Sequence, residues 1–175
     1  MTGNDKIIIK EYDPNWQSLF EVERDELMEA IGHYVADIQH IGSTAVPRLA
    51  AKPVVDIMVG LRRLLDAQDC ILPIEAMHYE YLPELELEKG FEDRRYFRKS
   101  KNGIRTHQIH IVEINSDFWK RTLLFRDHLR AHPQSANDYA ALKKELAKQF
   151  ENDREGYTNA KTDFINGVLS GYGIN

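Results

Sequence analysis

The sequence predicts an α+β fold: a small mixed β-sheet that carries the site, backed by helices, with the last part of the chain helical. Three observations predict it. A strand–turn–strand unit, its second strand carrying one acidic residue, spans residues 35–61, and an Asn-Gly dipeptide joins two β-rich runs between residues 94 and 114. From Ser116 onward the apolar residues recur every three or four positions, which is helical spacing.

Length and charge bound what such a fold can do. The 175 residues fit one domain, expected over 1–175, which can bury on the order of two-thirds of its unfolded surface. A single cysteine excludes an internal disulfide, and with no hydrophobic leader or long apolar run the chain is expected to be cytoplasmic, with no membrane partner. Cys70 stands among Ala67, Ile71 and Leu72 and reads as core filler. Lysine and arginine number 23 against 28 acidic residues, a formal charge of −5. Bulk charge therefore argues against duplex nucleic acid as a partner and leaves a local basic pocket open.

The elements follow in order. Lys6–Lys10 is a short β-rich run. Asp13 can then cap a helix with Pro14 in its first position, running to about Gly32 on Trp16, Leu19, Phe20, Leu27, Ala30 and Ile31. Val35–Ile41 is a strand, residues 42–44 a small-residue turn, Pro47–Ala51 a short helical or irregular link and Val54–Leu61 the next strand. Arg62–Ala76 has helical spacing at Leu64, Leu65, Ala67, Ile71 and Leu72, with Pro73 weakening its end. Tyr79–Leu87 contains Pro83 and reads as an edge strand or a loop. Arg94–Lys99 and Ile104–Ile114 form a hairpin about Asn102-Gly103, pairing antiparallel beside Val54–Leu61. Three helices complete the chain: Ser116 or Asp117 to Arg130, Ser135–Phe150 on Tyr139, Leu142, Leu146 and Phe150, and Tyr157–Leu169.

Chemistry concentrates in residues 40–61. A turn with Gly42 at its bend and Ser43 and Thr44 after it presents backbone N–H groups and hydroxyls to an anion such as phosphate. Asp56 follows on an otherwise apolar strand, where an unpaired carboxylate is costly to bury, so it is expected to line a cleft, meet a cation, or both.

A Gly-Ser turn followed about ten residues later by Asp-hydrophobic-acid resembles the nucleotidyltransferase fold, in which two acidic residues hold Mg²⁺ on a nucleotide's phosphates. Here Met58 stands where the second acid belongs. More closely, the segment from His40 to Ile57 resembles the GrpB family, and the likeness extends through Tyr12–Trp16, Thr106–His110, Phe125–Pro133 and Tyr157–Ile165. The resemblance implies a nucleotidyltransferase-like fold with Mg²⁺ as cofactor at Asp56. Its ligand would be a nucleotide or phosphorylated metabolite, and a transferase reaction does not follow from fold alone.

The remaining candidates are sorted by alternation along strands. His107, Ile109, Ile111 and Glu113 share one face, and Thr106, Gln108, His110, Val112 and Ile114 the other. His110, on the more polar face, is the expected cleft histidine, and Glu113 the candidate for a replacement acid. Gly42, Ser43, Thr44, Lys52, Arg95, Arg126 and Lys161 are expected to bind phosphate, with Arg126 and Arg130 one helical turn apart and Tyr157 and Lys161 likewise. The other basic residues of the hairpin read as a solvated face. Two functions compete: nucleotide binding with nucleotidyl transfer, or a catalytically silent module that kept the pocket, favoured by Met58. A hydrolase using a histidine as general base is a third.

Overall fold

The computed structural model describes residues 7–88 and 92–174, so the Lys6 end of the first β-rich run lies outside the described residues. What remains of that run makes an isolated antiparallel bridge, Lys10 with Ala51, through backbone bonds of 2.8 and 2.9 Å.

Five strands form one sheet: β1 (Val35–Ile41), β2 (Val55–Leu61), β3 (Glu80–Tyr81), β4 (Arg94–Lys101) and β5 (Ile104–Glu113), in the order β1-β2-β5-β4-β3. Only β2 and β5 run parallel. The β4–β5 hairpin turns on Asn102 and Gly103, both at positive φ, the conformation an Asn-Gly turn demands. The register sets Asp56 between Ile41 on β1 and Gln108 on β5, and Met58 beside His110.

Alternation gives the sheet two different faces. Val55, Ile57, Val59 and Leu61 join Ile109, Ile111 and Phe97 on one face, packed against α1 (Asn15–Ile31) and α2 (Ala67–Ala76). On α1 the buried residues Trp16, Phe20, Leu27 and Ile31 recur at helical spacing, while Leu19, assigned to the apolar stripe from sequence, is exposed. Leu65 and Leu72 likewise point to solvent, and Ala67, Cys70, Ile71 and Ile74 form the inner face of α2, which continues past Pro73 to Ala76.

The second face carries Asp56, Met58 and Gly60. Met58 is fully buried with Ile41, Val112 and Trp119, under α4 (Asp117–Ala131). Burying such a methionine contributes about 1.5–3 kcal/mol. A β-carbon at Gly60 would stand 2.7 Å from the Trp119 ring, so the glycine allows the indole to lie on the strand. Ser116 caps α4, accepting from the Trp119 amide at 3.3 Å.

Three segments depart from the sequence reading. The helix expected from Arg62 begins only at Ala67, after an extended Arg63 and a 3-10 turn over Leu64–Asp66. After β3 the chain forms a short helix, α3 (Pro83–Glu88), rather than continuing as strand or loop; Pro83 is accepted because a first-turn N–H has no helical partner. The terminal helix is two helices, α6 (Arg154–Asn159) and α7 (Thr162–Ser170), following α5 (Pro133–Gln149). Among the described residues no helix is long and apolar enough to cross a membrane.

Candidate functional site

The turn after β1 is fixed by its neighbours before any ligand is considered. Gly42 has φ +69° and ψ −171°, a region open essentially to glycine alone, and residues 43–45 make one 3-10 turn. An added β-carbon at Gly42 would stand 2.6 Å from Asp56 Oδ2. The backbone therefore approaches the carboxylate as closely as a residue without a side chain permits.

Three side chains that the sequence reading did not assign to this role brace the turn. His40 is buried, stacked on Phe20 with centroids 4.8 Å apart, and its Nε2 lies 3.0 Å from Thr44 Oγ1. Burial, with Arg130 and Arg126 nearby, pushes its pKa down to about 4, so the ring is neutral at pH 7. Arg126 donates from Nη1 to the His40 carbonyl at 2.9 Å and to Gln39 Oε1 at 2.7 Å. Arg130 donates from Nε and Nη2 to the Ala45 carbonyl at 3.0 and 2.7 Å. The α4 arginines thus hold the backbone on both sides of residues 42–44.

One cavity of about 170 Å³ opens on this turn, lined by Gly42, Ser43, Thr44, Lys52, Asp56, Gln108, Tyr139, Lys143, Tyr157 and Lys161 among others. Lys52 and Lys161 place their ammonium groups 5.0 and 4.3 Å from the centroid of the Tyr157 ring. Lys143 is almost fully buried, donates to the Ala50 carbonyl and lies 4.9 Å from the Tyr139 centroid. Its pKa falls to about 7 through burial and the neighbouring Lys161, Lys52 and Lys144. Three lysines face one carboxylate in a chain whose formal charge is −5, so the pocket is a local reversal of the overall sign.

Gly42, Ser43, Thr44, Lys52, Asp56 and Lys161 are therefore brought together, and four expected residues are not. Arg126 lies at a different cavity, with its guanidinium committed to the turn's backbone and, bidentately, to Asp127. Arg95 pairs in register with Ile111 on the opposite sheet face, its Nη1 3.5 Å from Glu86. Glu113 pairs with Leu61 at the far end of the strand and accepts from the Leu64 amide at 3.1 Å. His110 is on the site face, one alternation beyond Gln108, but is covered by Tyr96 and Phe118 and does not line the cavity. Burial and Arg94 push its pKa down to about 3.

Lys143, like Gln108 and Tyr139, is a cavity residue not expected from the sequence, and its signal was there: it falls between Tyr139 and Leu146 on the buried stripe of α5. A lysine in an apolar stripe needs a partner or a ligand.

The donors available to a divalent cation are one carboxylate, Asp56, with the Gln108 amide and the Ser43 and Thr44 hydroxyls; among the described residues no three His, Cys, Asp or Glu gather as a metal site. The position beside Asp56 on β5 is Gln108, not an acid. This set does not fit a two-metal centre. It fits magnesium only as an ion held chiefly by ligand phosphates and water.

The fold defined by this sheet and its Gly-Ser turn is nucleotidyltransferase-like. A crystal structure of the Cid1 poly(U) polymerase with Mg 3′-dATP bound superposes with a TM-score of 0.56 at 16% identity, over 87% of this chain and 49% of that one, a likeness of fold alone. The chain belongs to the GrpB family, whose model matches residues 6–170. It is 36% identical to the glutamate-rich protein GrpB of Alkalihalophilus pseudofirmus, over 94% of this chain and 95% of the relative. The crystal structure of the conserved protein GrpB from Enterococcus faecalis aligns with a TM-score of 0.83 at 35% identity, covering 94% of this chain and 96% of that one.

Proposed function

We propose that this chain binds the phosphate end of a nucleotide or other phosphorylated small molecule at the Ser43 turn, as a binding module rather than a nucleotidyltransferase. The observation that carries the reading is the gathering of Lys52, Lys143 and Lys161 with Ser43 around a single carboxylate in one cavity. Lysines act there as point charges, and the Ser43 hydroxyl as a hydrogen-bond donor to a phosphate oxygen; the Thr44 hydroxyl is already given to the Val54 carbonyl and braces the turn instead. Asp56 would meet the ligand through a magnesium ion shared with its phosphates; the bound nucleotide in the Cid1 structure is itself a magnesium complex.

Nucleotidyl transfer is the second reading, favoured by the placement of Asp56 directly beside Gly42. Its weakness is Met58: the strand position that would carry a second acid is sealed in an apolar cluster.

The test is thermal melting with ATP and other phosphorylated metabolites, with and without Mg²⁺. A ligand at about a hundred times its Kd stabilises the fold by about 2.7 kcal/mol, a shift of about 5–10 °C for a domain this long. Lys52→Ala and Lys161→Ala should remove most of the shift, and Asp56→Ala the magnesium-dependent part. No shift at millimolar ligand refutes the reading. Turnover that vanishes in Asp56→Ala would establish transfer instead.

A further inference from the structure

A second cavity, of about 310 Å³, adjoins the lysine pocket and shares Gly42 and Ser43 with it. Its walls come from three helices: Phe118 and Phe125 on α4, Tyr139 on α5, and Ile165 and Leu169 on α7. The rings are held by one another, Phe125 standing edge-on to Tyr139 at 5.2 Å and 88°. Polar groups are few. Thr122 contributes a hydroxyl, the Arg121 guanidinium donates to Asn166 Oδ1 at 3.0 Å, and the Arg126 guanidinium is occupied by Asp127, Gln39 and the His40 carbonyl.

Protein interiors leave few voids larger than a water molecule, and a chamber of this size walled by apolar side chains has the character of a ligand seat. Phe118, Phe125 and Ile165 are each half-buried, so the chamber is reached from solvent. The two cavities have Gly42, Ser43 and Tyr139 as common walls, which puts them within reach of one molecule that is charged at one end and apolar and flat at the other.

We propose that this chamber seats the base and sugar of a nucleotide whose phosphates lie on the Ser43 turn. The inference rests on the phosphate reading of the lysine pocket and adds the class of the ligand. Contact is with ring faces and edges, because the walls offer little else. Stacking and apolar contact are tolerant of base identity, whereas hydrogen-bonding groups are what discriminate. The seat therefore accepts purine and pyrimidine nucleotides within about fivefold of one another.

Calorimetric titration with matched probes tests this on the full chain: ATP, GTP, CTP, UTP, and inorganic tripolyphosphate, against wild type and Ile165→Trp, which fills the chamber from α7. ATP should bind at least about tenfold more tightly than tripolyphosphate, the order expected for one stacked base. Ile165→Trp should bring ATP down to the affinity of tripolyphosphate and leave tripolyphosphate unchanged. Should Ile165→Trp fail to fold by circular dichroism, Phe125→Leu serves, with a partial loss of the ATP advantage. Equal affinity for ATP and tripolyphosphate in wild type overturns this inference and leaves the phosphate reading standing. So does an ATP advantage that survives both substitutions. Binding of neither probe overturns the phosphate reading itself, and this inference with it.

Discussion

The Cα of Gly42 faces the carboxylate of Asp56 so closely that a β-carbon there would lie 2.6 Å from Oδ2. Turn and acid are therefore one unit, and neither can change without the other. The glycine serves twice, once for its backbone conformation and once for the space.

Gly42→Ala should destabilise the protein by about 1–3 kcal/mol from backbone strain alone, before the contact with Asp56 is counted. The midpoint of thermal unfolding should fall by about 2–12 °C. In Gly42→Ala/Asp56→Ala the clash with the carboxylate is gone but the backbone strain remains, so the double variant should lose less than the sum of the two single losses. Additive losses would mean that the two residues are energetically independent.

Met58→Asp should not restore a metal site. Position 58 is fully buried among Ile41, Val112 and Trp119, and an uncompensated charge there costs about 3–5 kcal/mol. Melting should fall by about 6–20 °C, and magnesium should give no compensating rise. A magnesium-dependent gain in stability of that variant would show that the apolar patch opens to admit the ion.

Lys143 makes a prediction in pH. Its folded pKa of about 7 lies below the ordinary value of 10.5, so between those limits the unfolded chain binds more protons and this group's contribution to stability rises with pH. Below about pH 7 the native state carries the full cost of the buried charge. Lys143→Met should therefore raise the melting temperature most at pH 6, with the gain shrinking at pH 9. A gain independent of pH would place the Lys143 charge in water in the native state.

Local pattern determined much of this molecule. The Asn102-Gly103 turn, the alternation of Val55–Leu61, the cap at Ser116 and the helical stripes of α1, α4 and α5 are all written in neighbouring residues, because strand and helix periods and turn dihedrals are short-range properties. So was the proximity of Gly42, Ser43 and Asp56, which a single strand–turn–strand unit enforces. What tertiary structure alone decided was which distant side chains completed the site. Arg126 and Arg95 look equally suited to phosphate in one dimension; packing gave the first to the His40 carbonyl and set the second on the other face of the sheet. Glu113 was separated from Asp56 by strand register, and Gln108 put in its place. Lys143 entered the cavity because α5 lays its buried stripe across the turn, a contact between residues some ninety positions apart that no local period can encode.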